Sequence, residues 1–170
     1  MDNKKWHALY TKSRWEKKVL KEFQYLGIES YLPVRKTLKQ WSDRKKKVEE
    51  PILKSYIFVR IEDDKRHLVF QADGVVNFVY FDGKPAIIRD KDIKAFQQLI
   101  DKNIDFEVTT DTVKKGQKVK IVYGDLKDVE GEISEILGKR QIAIRIDQIG
   151  FSLVVKIPFQ YTELMAEYSE

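Results

Sequence analysis

The sequence predicts an α+β N-terminal half, built as an antiparallel sheet flanked by helices with a protruding β-hairpin, followed by a small all-β, SH3-like barrel. Three observations predict it. Up to about residue 102, stretches of helical period alternate with stretches of strand period. From about residue 113 only strand periods remain, punctuated by Gly116, Gly124, Gly131, Gly138 and Gly150. Between 34 and 51 the chain is polar and basic, as in a hairpin that leaves the body of a domain.

Residues 5–11 alternate, with Trp6, Ala8 and Tyr10 on one face and His7 and Leu9 on the other, which predicts a strand. A helix is expected over about 14–26. Trp15, Val19, Phe23 and Leu26 share its core face, and Arg14, Lys17, Lys18 and Lys21 form a basic stripe opposite. Gly27 ends it as the left-handed residue after the cap. Residues 28–32 form a short strand stopped by Pro33, and the hairpin over 34–51 turns near Ser42 and Asp43. Tyr56-Ile57-Phe58-Val59 is apolar on both faces, so it belongs to a central strand.

Asp64 is expected to cap a short helix reaching about Ala72. Residues 75–81 and 85–88 flank Asp82-Gly83, a tight-turn dipeptide. Asp90 is expected to cap a helix to about Lys102, with Ile93, Phe96, Leu99 and Ile100 on its buried face. Residues 103–112 show neither period and read as a linker. The remaining strands fall at 118–123, 129–137, 140–147 and 151–157. The expected organisation is a first domain over 1–102, a linker over 103–112 and a second domain over 113–170.

The 170 residues hold 42% hydrophobic and 12% aromatic side chains, enough to bury a core. There is no cysteine, so disulfides and thiolate metal sites are ruled out and a cytoplasmic protein is expected. No stretch has the apolar length of a signal peptide or a membrane span, so no membrane partner is expected. Two histidines sixty residues apart, no glycine-rich phosphate loop and no metal-ligand spacing predict a protein without catalytic residues, cofactor or metal. The net charge of +5 is uneven: residues 1–60 hold 16 Lys and Arg against 7 Asp and Glu, and the rest 16 against 20. That asymmetry points to a localised contact with nucleic acid.

The hairpin concentrates the charge. Arg35, Lys36, Lys39, Arg44, Lys45, Lys46 and Lys47 face only Asp43 within 35–47. Such a tongue grips phosphates by counterion release without reading sequence. Trp41 has two readings, stacking on an unpaired base or packing across lysine stems.

Lys5-Trp6-His7-Ala8-Leu9-Tyr10, a helix, and then Glu50-Pro51-Ile52-Leu53-Lys54-Ser55-Tyr56-Ile57-Phe58-Val59 resemble the NusG N-terminal domain. Val113 to Val119, Gly124 and Gly131-Glu132-Ile133 resemble a KOW motif, which would make the barrel a KOW domain. Gln40-Trp41-Ser42-Asp43-Arg44-Lys45-Lys46 is most similar to the specialised RfaH-like and UpxY-like antiterminators of surface-polysaccharide operons.

The resemblance implies a transcription elongation and antitermination factor, not an enzyme. Its N-terminal domain would seat on the clamp helices of the largest RNA polymerase subunit and suppress pausing. By position, Tyr10, Leu53, Tyr56 and Phe58 would form the apolar patch, Phe96 and Ile100 would border it, and His67 would approach the gate loop. Lys12, Arg14, Trp15 and Lys18 would face non-template DNA. Lys39, Trp41, Arg44, Lys45, Lys46 and Lys47 would add the hairpin's grip on non-template or upstream duplex DNA. The KOW domain would recruit a ribosomal protein or a termination factor.

Two departures stand out. Leu53-Lys54-Ser55-Tyr56 replaces the family's Phe-Pro-Gly-Tyr or Phe-Pro-Asn-Tyr, and Asp128 stands where KOW motifs carry Gly. Alternative readings are a general NusG-like factor coupling transcription to translation or termination, and a KOW module that binds RNA or ribosomes. Acidic and basic residues balance over 113–170, without the basic excess that RNA binding needs.

Overall fold

The computed structural model describes residues 3–110, 116–136 and 139–165. The part of the KOW-like pattern at 113–115 and the turn glycine at 138 lie outside the described residues. The chain forms two compact units that divide between Ile88 and Arg89.

The first unit runs β1 (Lys5–Thr11), α1 (Glu16–Tyr25), β2 (Glu29–Tyr31), β3 (Val34–Gln40), β4 (Lys45–Pro51) and β5 (Tyr56–Ile61). A 3-10 helix (Asp63–Gln71), β6 (Val75–Phe78), β7 (Tyr80–Phe81), β8 (Lys84–Pro85) and β9 (Ile87–Ile88) complete it. Its main sheet has the order β2-β5-β1-β6, with β9 also paired to β1. β1 and β5 are antiparallel, from Lys5 opposite Ile61 to Tyr10 opposite Tyr56.

Both central strands are buried on both faces, as the unbroken apolar run of β5 requires: Leu9, Ile57 and Val59 on one side, Ala8 and Phe58 on the other. α1 lays Val19 and Phe23 on the first of these sides, in a core shared with Leu32, Val69 and Phe78. Burying a side chain such as Phe23 stabilises the fold by about 1.5–3 kcal/mol.

α1 ends as its sequence dictates. Gly27 is left-handed (φ 70°), the Ile28 N–H bonds to the Phe23 carbonyl at 2.9 Å and the Gly27 N–H to that of Gln24 at 3.3 Å. Asp82 and Gly83 both have positive φ, 52° and 75°, and form the primed turn between β7 and β8. The two expected acidic caps are displaced by one or two residues. Glu62 precedes the 3-10 helix and Arg89 precedes the second α-helix, each extended and without a side-chain cap bond. Asp64 and Asp90 instead lie in the first turns, where a carboxylate still favours the helix dipole.

Two close fits hold this unit together. His7 is buried and its Nδ1 donates to the Ala86 carbonyl at 2.9 Å, while burial pushes its pKa below the ordinary value and keeps the ring neutral. Gly74 passes under α1 so closely that a Cβ there would lie 2.4 Å from Val19 Cγ2 and 3.0 Å from Trp15 Cε3.

The second unit contains α2 (Asp90–Asp101), β10 (Phe106–Thr109), β11 (Lys118–Ile121), β12 (Glu130–Ile136), β13 (Lys139–Ile146), β14 (Phe151–Val155) and β15 (Thr162–Leu164). One antiparallel sheet runs β10-β14-β13-β12-β11-β15. The expected closed barrel is not found: β10 and β15 are the two ends of the path, and no pairing joins them among the described residues.

Residues 106–109, expected within a linker, are a strand. β10 pairs with β14, and Phe106 is buried edge-on against Phe96 of α2 at 6.5 Å. Four residues between polar flanks are too few to display a strand period. α2 is fastened to the sheet by polar contacts. Arg89 grips the buried Asp92 at 2.8 and 3.0 Å and donates to the Arg145 carbonyl at 3.2 Å, while Lys91 pairs with Glu130 at 2.5 Å. Among the described residues no helix is long and apolar enough to cross a membrane.

Gly74→Ala should destabilise the protein by about 1–3 kcal/mol, because the buried, β-branched Val19 has little room to yield. A thermal melt unchanged from wild type would show that α1 shifts freely. A fragment of residues 89–170 should melt cooperatively, and trimming it to 113–170 should lower its midpoint by about 10 °C or more. Equal midpoints by circular dichroism would mean that α2 and β10 contribute nothing to the second unit.

Candidate functional site

Several of the expected functional side chains of the first unit, Tyr10, Lys12, Trp15, Leu53 and Tyr56, flank one backbone junction. The Thr11 N–H donates to the Ser55 carbonyl, and the Lys12 N–H to the Gly74 carbonyl, each at 2.9 Å. The Ser55 N–H donates to Glu16 Oε1 at 2.7 Å, and Glu16 is buried. Ser55 is left-handed, φ 62°, at the position where the resembled motif carries Gly or Asn. Asp128, at the position where the resembled KOW motif carries Gly, is also left-handed, φ 73°. Both positions therefore adopt a left-handed conformation of the kind that glycine takes without strain.

Tyr10 and Tyr56 leave this junction on facing strands. Their rings are 5.0 Å apart and tilted by 56°. Tyr10 is 39% exposed and Tyr56 half-buried, so the pair presents an aromatic surface with phenol edges. Burial, reinforced by a hydrogen bond with Tyr10, raises the Tyr56 phenol far above the ordinary tyrosine value.

The other members of the apolar set are placed differently. Leu53 is buried at the exit of the hairpin. Phe58 is fully buried and stacks beside Tyr31 at 6.4 Å. Phe96 and Ile100 belong to the second unit, where Phe96 is fully buried and Ile100 half-buried. Leu53, Phe58 and Phe96 are all buried: Phe58 and Phe96 as the two-sided apolar run of β5 and the apolar face of α2 predict, Leu53 where the resemblance alone had suggested a surface role. His67 is exposed, and its Nδ1 donates to the Asp64 carbonyl at 3.1 Å.

The structure does assemble the first-helix cluster. Lys12 and Lys18 hold their ammonium groups 4.9 and 3.9 Å from the Trp15 ring centroid. Arg14 is exposed in a left-handed turn, φ 65°, closed by the Trp15 N–H on the Lys12 carbonyl.

The hairpin is a ribbon whose two strands pair only with each other, from Val34 opposite Pro51 to Gln40 opposite Lys45. The Trp41 N–H closes the turn on the Arg44 carbonyl at 2.8 Å. Its charge is not uniform. Lys36 pairs with Glu49 at 3.8 Å, and Lys39 pairs with Glu50, whose carboxyl it holds below the usual range. Among the described residues Arg44, Lys45, Lys46 and Lys47 form no ion pair, so the uncompensated charge sits at the tip.

Four contributors went unnoticed in the sequence. Glu16, in a helix rich in lysine, looks like an ordinary solvated carboxylate. Gly74 carries no pattern of its own. Glu49 and Glu50 did leave a signal, since folding the hairpin about Ser42 and Asp43 brings them opposite Lys36 and Arg35.

Titration of tyrosine absorbance should reveal one phenol that ionises well above the others and vanishes in Tyr56→Phe. The fold favours the neutral phenol. Its contribution to stability is therefore complete below the unfolded tyrosine pKa of about 10, and is lost as pH rises above that value towards the folded one. Eight phenols titrating together in the folded protein would overturn the half-buried placement of Tyr56 against Tyr10.

Residues 4–97 match the family described as "Transcription termination factor nusG". The solved structure described as "Domain interaction in Thermotoga maritima NusG" is similar to this chain at 23% identity and a TM-score of 0.50, covering 96% of this chain and 98% of that one. Crystal structures of the MjSpt4:Spt5 complex in conformations A and B align at 14% identity with TM-scores of 0.31 and 0.33. They cover 96% and 97% of this chain and 99% of each of those. No curated protein matches the sequence. The similarity to the Thermotoga structure is one of fold.

Proposed function

We propose, on the premise that this chain belongs to the NusG family, that it binds RNA polymerase and acts, without catalysis, on transcription elongation or termination. The observation that carries this reading is the Tyr10–Tyr56 pair, a partly exposed aromatic surface set on the central strands of the first unit. Rigid aromatic anchors dominate binding energy at interfaces because they lose little conformational entropy on docking. The clamp helices of the polymerase are the partner surface that the family resemblance suggests. Lys12, Arg14 and Lys18 on one side and the hairpin tip on the other supply cations for nearby DNA.

The finer reading is an antiterminator specialised for a subset of operons, such as those for surface polysaccharides. The hairpin favours it, since Gln40 to Lys46 carries the resemblance to specialised paralogues and forms a well-paired ribbon. A general factor that couples transcription to translation or termination is the second reading. Gly116 to Ile133 supports it by resembling the KOW module through which a ribosomal protein or termination factor would be recruited. The proposed site of action is the cytoplasm.

Tyr10→Ala and Tyr56→Ala should each weaken capture of core RNA polymerase by about 30-fold, the scale of an interface hot spot. Their melting temperatures should fall by only a few degrees, since Tyr10 is 39% exposed and Tyr56 only half-buried. Variants that fold and still bind normally would sink the interface assignment. In vitro transcription through pause sites then separates the readings, because a specialised factor acts on some templates and a general one on all.

A further inference from the structure

The two tryptophans in basic surroundings are not equivalent. Lys12 and Lys18 hold their ammonium groups 4.9 and 3.9 Å from the Trp15 ring centroid, and the ring packs by Gly74, where a Cβ would lie 3.0 Å from it. The Trp15 ring is thus already engaged by cations and backbone. Trp41 is 57% exposed, and among the described residues no ring or cation lies against it. It sits at the hairpin turn, bonded through its backbone to Arg44. The pairing register puts Lys39 and Lys46 on its face of the ribbon. Lys39 is neutralised by Glu50, which leaves Arg44 and Lys46 as the cations beside the open indole.

We propose that the hairpin tip is a single-strand nucleic-acid site in which an unpaired base stacks on Trp41 while Arg44 and Lys46 hold the flanking phosphates. An aromatic face can receive only a base whose own face is free. In a duplex both faces are already stacked, and opening a step costs a few kcal/mol. The ion pairs of Lys36 with Glu49 and Lys39 with Glu50 confine phosphate binding to the outer end of the ribbon. The site therefore selects strandedness through Trp41 and gains affinity from the tip cations. Stacking of this kind is sequence-tolerant, because every base has a π-face. This inference rests on reading the hairpin as a nucleic-acid contact of a transcription factor.

The full chain is titrated against labelled oligo-dT, oligo-U of equal length and a duplex, following anisotropy and tryptophan quenching. Trp41→Ala should weaken single-strand binding about ten- to a hundred-fold. It should abolish most of the quenching and change duplex affinity by less than about threefold. Trp41→Phe should restore most of the binding. Tighter binding of oligo-dT assigns the displaced DNA strand, and tighter binding of oligo-U assigns the transcript.

Neutralising Arg44, Lys45, Lys46 and Lys47 to Gln should reduce the log–log salt slope on single strands by about 0.7 for each phosphate left without its cation. The stacking site is overturned if Trp41→Ala binds single strands as wild type does, or weakens single strand and duplex equally. Capture of core polymerase by Trp41→Ala is measured in parallel. Polymerase capture without single-strand binding by the wild type would remove this site and leave the proposed function standing. Single-strand binding without polymerase capture would do the reverse.

Discussion

The hydrogen bond from the Ser55 N–H to the buried Glu16 carboxylate organises the functional half of the first unit. A carboxylate held away from water must be satisfied, and here it accepts a backbone donor from a left-handed residue. Three segments meet at that point: the end of β1, the start of α1 and the chain leaving the hairpin. Tyr10, Lys12 and Trp15 follow from the first two, and Leu53 and Tyr56 from the third. Removing the carboxylate would leave the Ser55 N–H without its partner and release a backbone conformation that serine adopts at a cost of about 1–2 kcal/mol.

Packing and charge are divided between the body of this unit and its hairpin. The sheet and α1 bury a continuous apolar core while leaving Tyr10, Tyr25, Val76 and Ile87 exposed, and the buried histidine stays neutral. The hairpin buries almost nothing. Its strands are ordered by their own ladder and by two ion pairs near the base. Exposed pairs of that kind contribute little to stability, so their main effect is to set where positive charge remains uncompensated.

Most of the first unit was legible in the sequence because its elements have long periods or strong punctuation. Trp6 to Tyr10, the Val19–Phe23 face, Gly27, the hairpin tip and Asp82-Gly83 all fell where the patterns put them. Burial was harder to read. Phe58 and Phe96 are buried as their strand and helix patterns predict, whereas Leu53, in a short loop with no period of its own, gave no such signal. β10 was missed because four residues cannot establish a period, and barrel closure was overestimated because strand count says nothing of which edges meet. Among the site residues, the packing of Trp15 depends in part on Gly74, which lies far from it in sequence.

The hairpin's two-stranded ladder has a consequence for how such a chain diversifies. Each residue from Arg35 to Lys47 is exposed or only half-buried, so substitutions there meet no packing constraint. Length is nearly as unconstrained, provided it changes by matched residues on both strands. Adding one cross-strand pair preserves the register at the base but turns the tip to the opposite face, whereas adding two restores it. The reach of the ribbon can therefore grow in steps of about 7 Å while Trp41 and Arg44 keep facing the same way. Lineages that vary this segment are expected to differ by whole multiples of that step, with the junction at Ser55 and Glu16 left untouched.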